Sequence, residues 1–224
     1  MKIYVGGCAR RAMPALILLA GMFALATTAA AQTPALVQAT MEVTDLGGNP
    51  ITSIEAGGDF LLRAIVQDVR QPTPEVSGVF AAYVNVDFDP SVALIEPGTS
   101  LDHAPFFNIL KSGDLSVPGQ ITAAGGAGVS LNAPGSDPQL LWSVMIHAEA
   151  PGTTTFTPSY FSAPGEEWLL YGLDSVPPFM QDQVEFVGTS LTVVPEPSTF
   201  VLASVPGALL AIVAVRRGRA KRRK

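Results

Sequence analysis

The sequence predicts an all-β fold, a single antiparallel β-sandwich of about nine strands, and two observations carry that reading. Between apolar ends, the 224-residue chain holds short runs in which apolar and polar residues alternate with period two, the spacing that turns one face of a strand toward a core. Clusters of Gly, Pro, Asn and Asp separate those runs, and they interrupt ladders because Gly opens positive φ and Pro lacks an N–H. No run of helical period competes with this pattern between Ala35 and Val194. A chain of this length with a removable segment at each end holds one ordinary domain.

The strands follow in order. Ala39, Met41 and Val43 alternate with Thr40, Glu42 and Thr44; Phe60, Leu62, Ala64 and Val66 share a face; Ala82, Val84, Val86 and Phe88 alternate with Tyr83, Asn85 and Asp87. Leu140, Trp142, Val144 and Ile146 oppose Leu141, Ser143, Met145 and His147. Further candidates are Thr153 to Thr157, Trp168 to Leu173, Val184 to Val187 and Leu191 to Val194. Turn signals stand at Gly47-Gly48-Asn49-Pro50, Gly57-Gly58, Asp89-Pro90, Asn132 to Pro138 and Pro151-Gly152. The stretch from Ser112 to Gly128, rich in Gly and Ala, reads as a loop. Two packed sheets bury strands of this kind best.

The ends carry signals of a different kind. Residues 1–31 read as a signal peptide, with Lys2, Arg10 and Arg11 before an apolar run from Ala12 to Thr28 and small residues at Ala29-Ala30-Ala31. Signal peptidase would accept Ala29 and Ala31 and cleave after Ala31; a retained membrane helix is the competing reading. The lone cysteine, Cys8, precedes the apolar run, so the mature chain holds no thiol nucleophile and no disulfide. At the other end Phe200 to Val215 carries no charge and is followed at once by Arg216, Arg217 and Arg219. That order is a stop-transfer signal, and the positive-inside rule leaves the body, residues 32–194, outside. A helix over 200–215 spans about 24 Å at about 1.5 Å per residue, short of a ~30 Å hydrocarbon core unless flanking residues extend it.

Val194-Pro195-Glu196-Pro197-Ser198, the short apolar span and the Arg216-Arg217-Gly218-Arg219 cluster together resemble the PEP-CTERM sorting domain of exported bacterial proteins. The resemblance covers residues 195–224. It implies that Pro195, Glu196 and Pro197 are the recognition element of exosortase, a membrane-embedded cysteine transpeptidase, with 200–215 a transient transmembrane anchor and 216–224 a basic retention tail. The body would then be held at the inner membrane before release to the cell surface or beyond. Two prolines keep such a segment extended, so a carboxylate is offered on exposed backbone just outside the bilayer.

In the body, Gly57-Gly58-Asp59-Phe60, Gly78-Val79-Phe80 and Val84-Asn85-Val86-Asp87-Phe88-Asp89-Pro90-Ser91-Val92 resemble cohesin and related carbohydrate-binding sandwich domains, which have a jelly-roll architecture. Ile146 to Gly152 matches their strand-then-Gly turn. The resemblance implies a non-catalytic module for adhesion or matrix assembly through protein or polysaccharide contacts, with an exopolysaccharide-binding module as the alternative. The stretch from Pro105 to Gly113 has no counterpart in that pattern, and no dockerin-like calcium repeat occurs, so dockerin binding does not follow.

Charge and side-chain chemistry narrow the function further. Between Gln32 and Val194 there are eighteen Asp and Glu but only Arg63, Arg70 and Lys111, a balance of −15. Such a body repels polyanions, so nucleic acid is not an expected partner. His103 and His147 stand apart from other metal ligands in the sequence and read as structural. Glu166 and Glu167 are neighbours, which on an extended chain face opposite ways and make no acid/base dyad. No Gly-x-Ser-x-Gly elbow, His-Glu-x-x-His helix or phosphate-binding loop is present. No catalytic residue, no cofactor and no enzyme activity are expected. Asp87 and Asp89 share a strand face entering a turn and could offer oxygens to Ca²⁺; the alternative is that Asp89 caps the Asp-Pro turn. Phe106, Phe107, Tyr160, Phe161, Trp168, Tyr171 and Phe179 are candidates either for a sugar-stacking platform or for the core.

Overall fold

The computed structural model describes residues 34–129, 132–173 and 181–196. The signal peptide with Ala29 and Ala31, Pro197, the 200–215 span, the Arg216, Arg217 and Arg219 cluster and Phe179 lie outside the described residues. Thirteen strands are present among the described residues: β1 (Val37–Thr44), β2 (Ser53–Glu55), β3 (Asp59–Asp68), β4 (Val79–Asp87), β5 (Ala93–Leu94), β6 (Asp102–His103), β7 (Ile109–Asp114), β8 (Gln120–Ala127), β9 (Gln139–Ala148), β10 (Gly152–Tyr160), β11 (Leu169–Leu170), β12 (Val184–Val187) and β13 (Thr189–Val194). One 3-10 turn spans Gln181–Gln183, and no described helix is long and apolar enough to cross a membrane.

Two sheets form the sandwich, one ordered β12-β1-β3-β9-β5 with β6 also on β9, the other β2-β13-β10-β4-β8-β7 with β11 also on β4. The expected antiparallel pairing holds inside each sheet and fails at one edge of both, because β12 runs parallel to β1 and β2 runs parallel to β13. The alternating faces land as expected on β1 and β3: Val37, Ala39, Met41 and Val43 meet Phe60, Leu62, Ala64 and Val66 in one buried layer. Phe156 on β10 faces them from the second sheet, its ring 6.0 Å from Phe60 and 5.4 Å from Phe88. Such aromatic pairs hold the two layers together beyond the area they bury.

The count of about nine strands is corrected to thirteen. Eight of the expected segments are there, with the Trp168 to Leu173 segment reduced to Leu169–Leu170. Four of the additional strands are short or irregular: β2, β5 and β6 have two or three residues, too few for period two to register, and β7 is broken by register shifts. The fifth, β8, overturns the loop reading of the Gly/Ala-rich stretch, since it lies between β4 and β7 inside the second sheet. Its Gly and Ala are there because space is missing. A Cβ on Gly125 would run into the Ala82 carbonyl oxygen and come within 2.8 Å of the Tyr83 ring. Across from Asn85 the strand bulges, Ala123 adopts φ 54°, and the Asn85 side chain accepts the Ala123 N–H at 2.9 Å. From the facing sheet, the Trp142 indole donates across the core to the Ala124 carbonyl at 3.1 Å.

Two expected faces are also revised. A bulge between Ala64 and Ile65 leaves Leu141 without a ladder partner, and both Leu141 and Trp142 are fully buried instead of alternating. Tyr83, expected to face outward from β4, is fully buried in a second apolar cluster on the outer face of the second sheet, with Ala81, Ala127, Phe80, Phe161 and Leu169. Strand β4 is thus apolar on both faces, a property of covered strands. Replacing Gly125 with Ala is expected to cost about 2 to 3 kcal/mol by overpacking, read as a lower urea midpoint at unchanged slope; an unaltered midpoint contradicts the central placement of β8.

Candidate functional site

The strongest polar site lies where the two sheets meet at one end. Asp68, the last residue of β3, is 1% exposed at its side chain and is gripped by Arg70, whose Nε reaches Oδ1 at 2.9 Å and whose second guanidinium nitrogen reaches Oδ2 at 2.6 Å. The Gly78 N–H, just before β4, donates to the same carboxylate at 2.7 Å, and Arg70 also donates to the Tyr171 carbonyl at 2.7 Å. Burial pushes the Asp68 carboxyl up, but the bonds from Arg70 and the Gly78 and Arg70 amides outweigh it and hold it below the ordinary value. With its charge matched on every side, this pair fastens one sheet to the other and to the segment after β11.

His147 does not stand alone as the sequence implied. Register places Asp59 opposite it on β3, and the ring Nδ1 lies 2.8 Å from an Asp59 carboxylate oxygen. That hydrogen bond raises the His147 pKa above 6.5, aided by the fields of Glu96 and Glu149 and opposed by slight burial. His103, on β6, donates from Nε2 to the Ser112 carbonyl on β7 at 3.1 Å, a structural tie as expected. Asp89 caps its turn, accepting the Ser91 N–H at 2.9 Å and the Ser91 hydroxyl at 2.7 Å, which lowers its pKa. Asp87 is exposed at the end of β4. Among the described residues no three His, Cys, Asp or Glu stand together as a metal site. Glu167 folds back to accept the Gly165 N–H, and with Glu166 it adds to the field that, after burial itself, pushes the Tyr83 hydroxyl up to about 12.

The aromatics divide by burial. Phe107 and Trp168 are fully buried, and Tyr160 stacks on Trp168 at 6.2 Å. The Trp168 indole donates to the Tyr83 and Phe161 carbonyls at 2.8 and 3.0 Å, clipping the segment after β10 onto the sheet. Half-buried Phe80 meets Tyr171 edge-on at 86°, and half-buried Phe106 lies tilted at 50° to Tyr171. Tilted rings of this kind pack on one another and do not present the flat row on which a sugar stacks.

Sequence reasoning missed a depression at the lateral seam, where β6 of one sheet approaches β7 of the other. A shallow pocket of about 520 Å³ is lined by Thr99, Ser100, Leu101, His103, Lys111, Ser112, Gly113 and Leu115. Thr99 and Leu115 are shared with a neighbouring groove of about 410 Å³, whose lining includes Leu94, Ile95, Glu96, Pro97 and Val117. The signal that could have found it is the scarcity of cations. Arg63 pairs with Glu42 at 2.9 Å and Arg70 with Asp68, while Lys111, exposed on the edge strand, has no ion pair among the described residues.

Two outcomes test the electrostatics. Asp68→Asn leaves a buried guanidinium uncompensated and is expected to cost about 3 kcal/mol or more. Because its folded pKa is depressed, the Asp68 contribution is present above the unfolded value of 3.8 and is lost as pH falls through the folded one; Asp68→Asn therefore flattens the acid limb of a melting-temperature profile. His147 has the opposite sign. Its raised folded pKa means that the pair with Asp59 contributes below pH 6.5 and is lost as pH rises through the folded value. The exposed pair is worth a few tenths of a kcal/mol, and His147→Gln removes that slope; a slope that persists assigns it elsewhere.

No family model and no curated protein matches the chain. Solved structures match the body at low identity. The chain is similar to the seventh ScaB type I cohesin from Pseudobacteroides cellulosolvens (12% identity, 71% of this chain and 93% of that one, TM-score 0.44). It is also similar to CaCohA2 from Clostridium acetobutylicum (14%, 70% and 91%, TM-score 0.44) and to the cohesin module of a family 33 glycoside hydrolase from Clostridium perfringens (9%, 72% and 99%, TM-score 0.45). In fold, the body resembles cohesin modules.

Proposed function

We propose that this chain is an exported, non-catalytic binding module, carried to the cell surface by its C-terminal sorting signal and acting there in adhesion or matrix assembly. The observation that carries the reading is how the chain leaves the sandwich. Strand β13 ends at Val194, still paired with Glu55, and the Ala56 N–H closes the ladder on the Val194 carbonyl at 2.9 Å. Pro195 cannot continue a ladder, and Glu196 follows beside the Gly57 turn at the margin of the domain. Cargo and address therefore abut with no spacer between them. The use of polar side chains supports the non-catalytic part of the reading: Asp68, Asp89 and Glu167 are each engaged in holding backbone.

Contacts with protein are the leading mode. The outer face of β10 and its neighbours favours a second, a neutral polysaccharide: Thr153, Thr192 and Ser53 form one exposed row and Thr155 and Ser190 the next, with hydroxyl pairs at 3.3 and 2.9 Å. Affinity electrophoresis against neutral and acidic polysaccharides separates the two, since retardation by neutral chains alone supports the hydroxyl face.

Delivery is tested in a host that carries the sorting enzyme. Protease added to intact cells is expected to remove the body, and Glu196→Ala together with alanine at both flanking prolines is expected to leave the full-length precursor in the membrane fraction. A body that survives on intact cells and is digested only after lysis sinks the proposal.

A further inference from the structure

We infer that the pocket at the β6–β7 seam takes the carboxylate of an extended acidic peptide from a partner protein, with apolar side chains of that peptide lying in the adjoining groove. The inference rests on the reading of the body as a binding module and names the chemistry of what it binds.

The argument begins with charge. The body carries eighteen carboxylates and three cations, and two of those cations are spent inside the fold on Glu42 and Asp68. Lys111 is the cation left over, and it lines a pocket whose eight residues include no Asp or Glu. In a domain so acidic, a carboxylate-free concavity with a lysine is the place where an anion is attracted and not repelled.

Shape and polarity then choose the anion's carrier. Thr99, Ser100 and Ser112 line the pocket together with Lys111, and hydroxyls beside an ammonium are the donors that hold a carboxylate, the ammonium by a charge-assisted hydrogen bond. Leu101 packs against Gly113, and the His103 bond to the Ser112 carbonyl fastens one wall to the other, so the pocket is built before any ligand arrives. Beyond Thr99 and Leu115 the surface becomes mainly apolar, with Glu96 its one carboxylate, so the peptide's apolar side chains and not its acidic ones belong there. No Phe, Tyr or Trp lines either depression, and the one ring present, the His103 imidazole, is tied to the Ser112 carbonyl, so an acidic sugar would find no broad stacking surface, whereas an acidic residue flanked by Leu or Val fits both halves. Val117, 47% exposed in the groove, is the kind of apolar surface such a residue would cover.

The test uses the full chain in detergent micelles and acetylated, amidated hexapeptides that alternate Leu or Val with Glu, titrated calorimetrically. The Glu peptides are expected to bind, with affinity falling roughly tenfold or more when Glu is replaced by Gln or when Lys111 is replaced by Ala, as for loss of one charge-assisted hydrogen bond. Combining the two changes adds little further loss, and Lys111→Arg restores binding. Lys111 is exposed, and circular dichroism checks that each variant folds. No binding at millimolar peptide, equal binding of Glu and Gln peptides, binding unaffected by Lys111→Ala, or preference for tri-galacturonate overturns the inference. Protease shaving of cells needs no peptide, so failure of the pocket and failure of surface display are read separately.

Discussion

The buried carboxylate of Asp68 is the constraint on which the joining of the two sheets depends. A sandwich is held mainly by non-directional burial, which fixes the separation of the layers but tolerates sliding. Asp68 supplies direction. Its two oxygens are shared among the Arg70 guanidinium, the Arg70 amide and the Gly78 amide, so the end of β3 and the start of β4 are set in one orientation. The remaining guanidinium bond, to the Tyr171 carbonyl, brings in the segment just after β11, which pairs with β4 at the side of the second sheet. A buried ion pair of this kind adds specificity more readily than net stability, because desolvation consumes much of the Coulomb gain.

From that fixed corner the small residues of β8 follow. Tyr83 is covered on the outer face of its sheet, and its hydroxyl donates to the Leu110 carbonyl at 2.9 Å, so its ring lies over β8. Only Gly at 125 permits that approach. The bulge at Ala123 and the indole of Trp142 then pin β8 from within. The outer cluster covers part of the second sheet's outer face, while Trp168 packs in the main core against Phe186 of the other sheet. Exposed polar surface is left on the hydroxyl rows of β10 and β13 and at the seam between β6 and β7.

Much of this was legible where side chains report their own surroundings. On β1 and β3, alternation of Val and Thr, or Leu and Arg, follows the pleat without interruption, and both strands were readable to within a few residues. On β9 the same pattern holds from Trp142 to His147 and misled only at Leu140 and Leu141, because a bulge shifts the phase there and leaves no local mark. Strand β8 was illegible for a deeper reason: Gly and Ala carry a strand here only because Tyr83 and Ala82 lie against them, and that demand comes from another strand. The same separation hid Asp59 from His147 and Asp68 from Gly78. The turn role of Asp89 was readable because Ser91 is two residues away, whereas the seam pocket is assembled from segments that no local motif links.

The uneven charge of the body gives the seam a behaviour that neither charge nor shape alone would. At physiological ionic strength fields between exposed groups decay over about 8 Å, so an acidic peptide approaching a surface at −15 feels repulsion at long range and Lys111 only at contact. Added salt screens the first more completely than the second, because the pocket draws its charged partner into hydrogen-bonding distance where few ions intervene. Association through this seam therefore speeds up with moderate salt, the reverse of electrostatically steered binding, in which opposite charges lose rate as salt rises. A partner that docked instead through cations on the acidic flanks would show the ordinary salt dependence, and the sign of that slope separates the two surfaces.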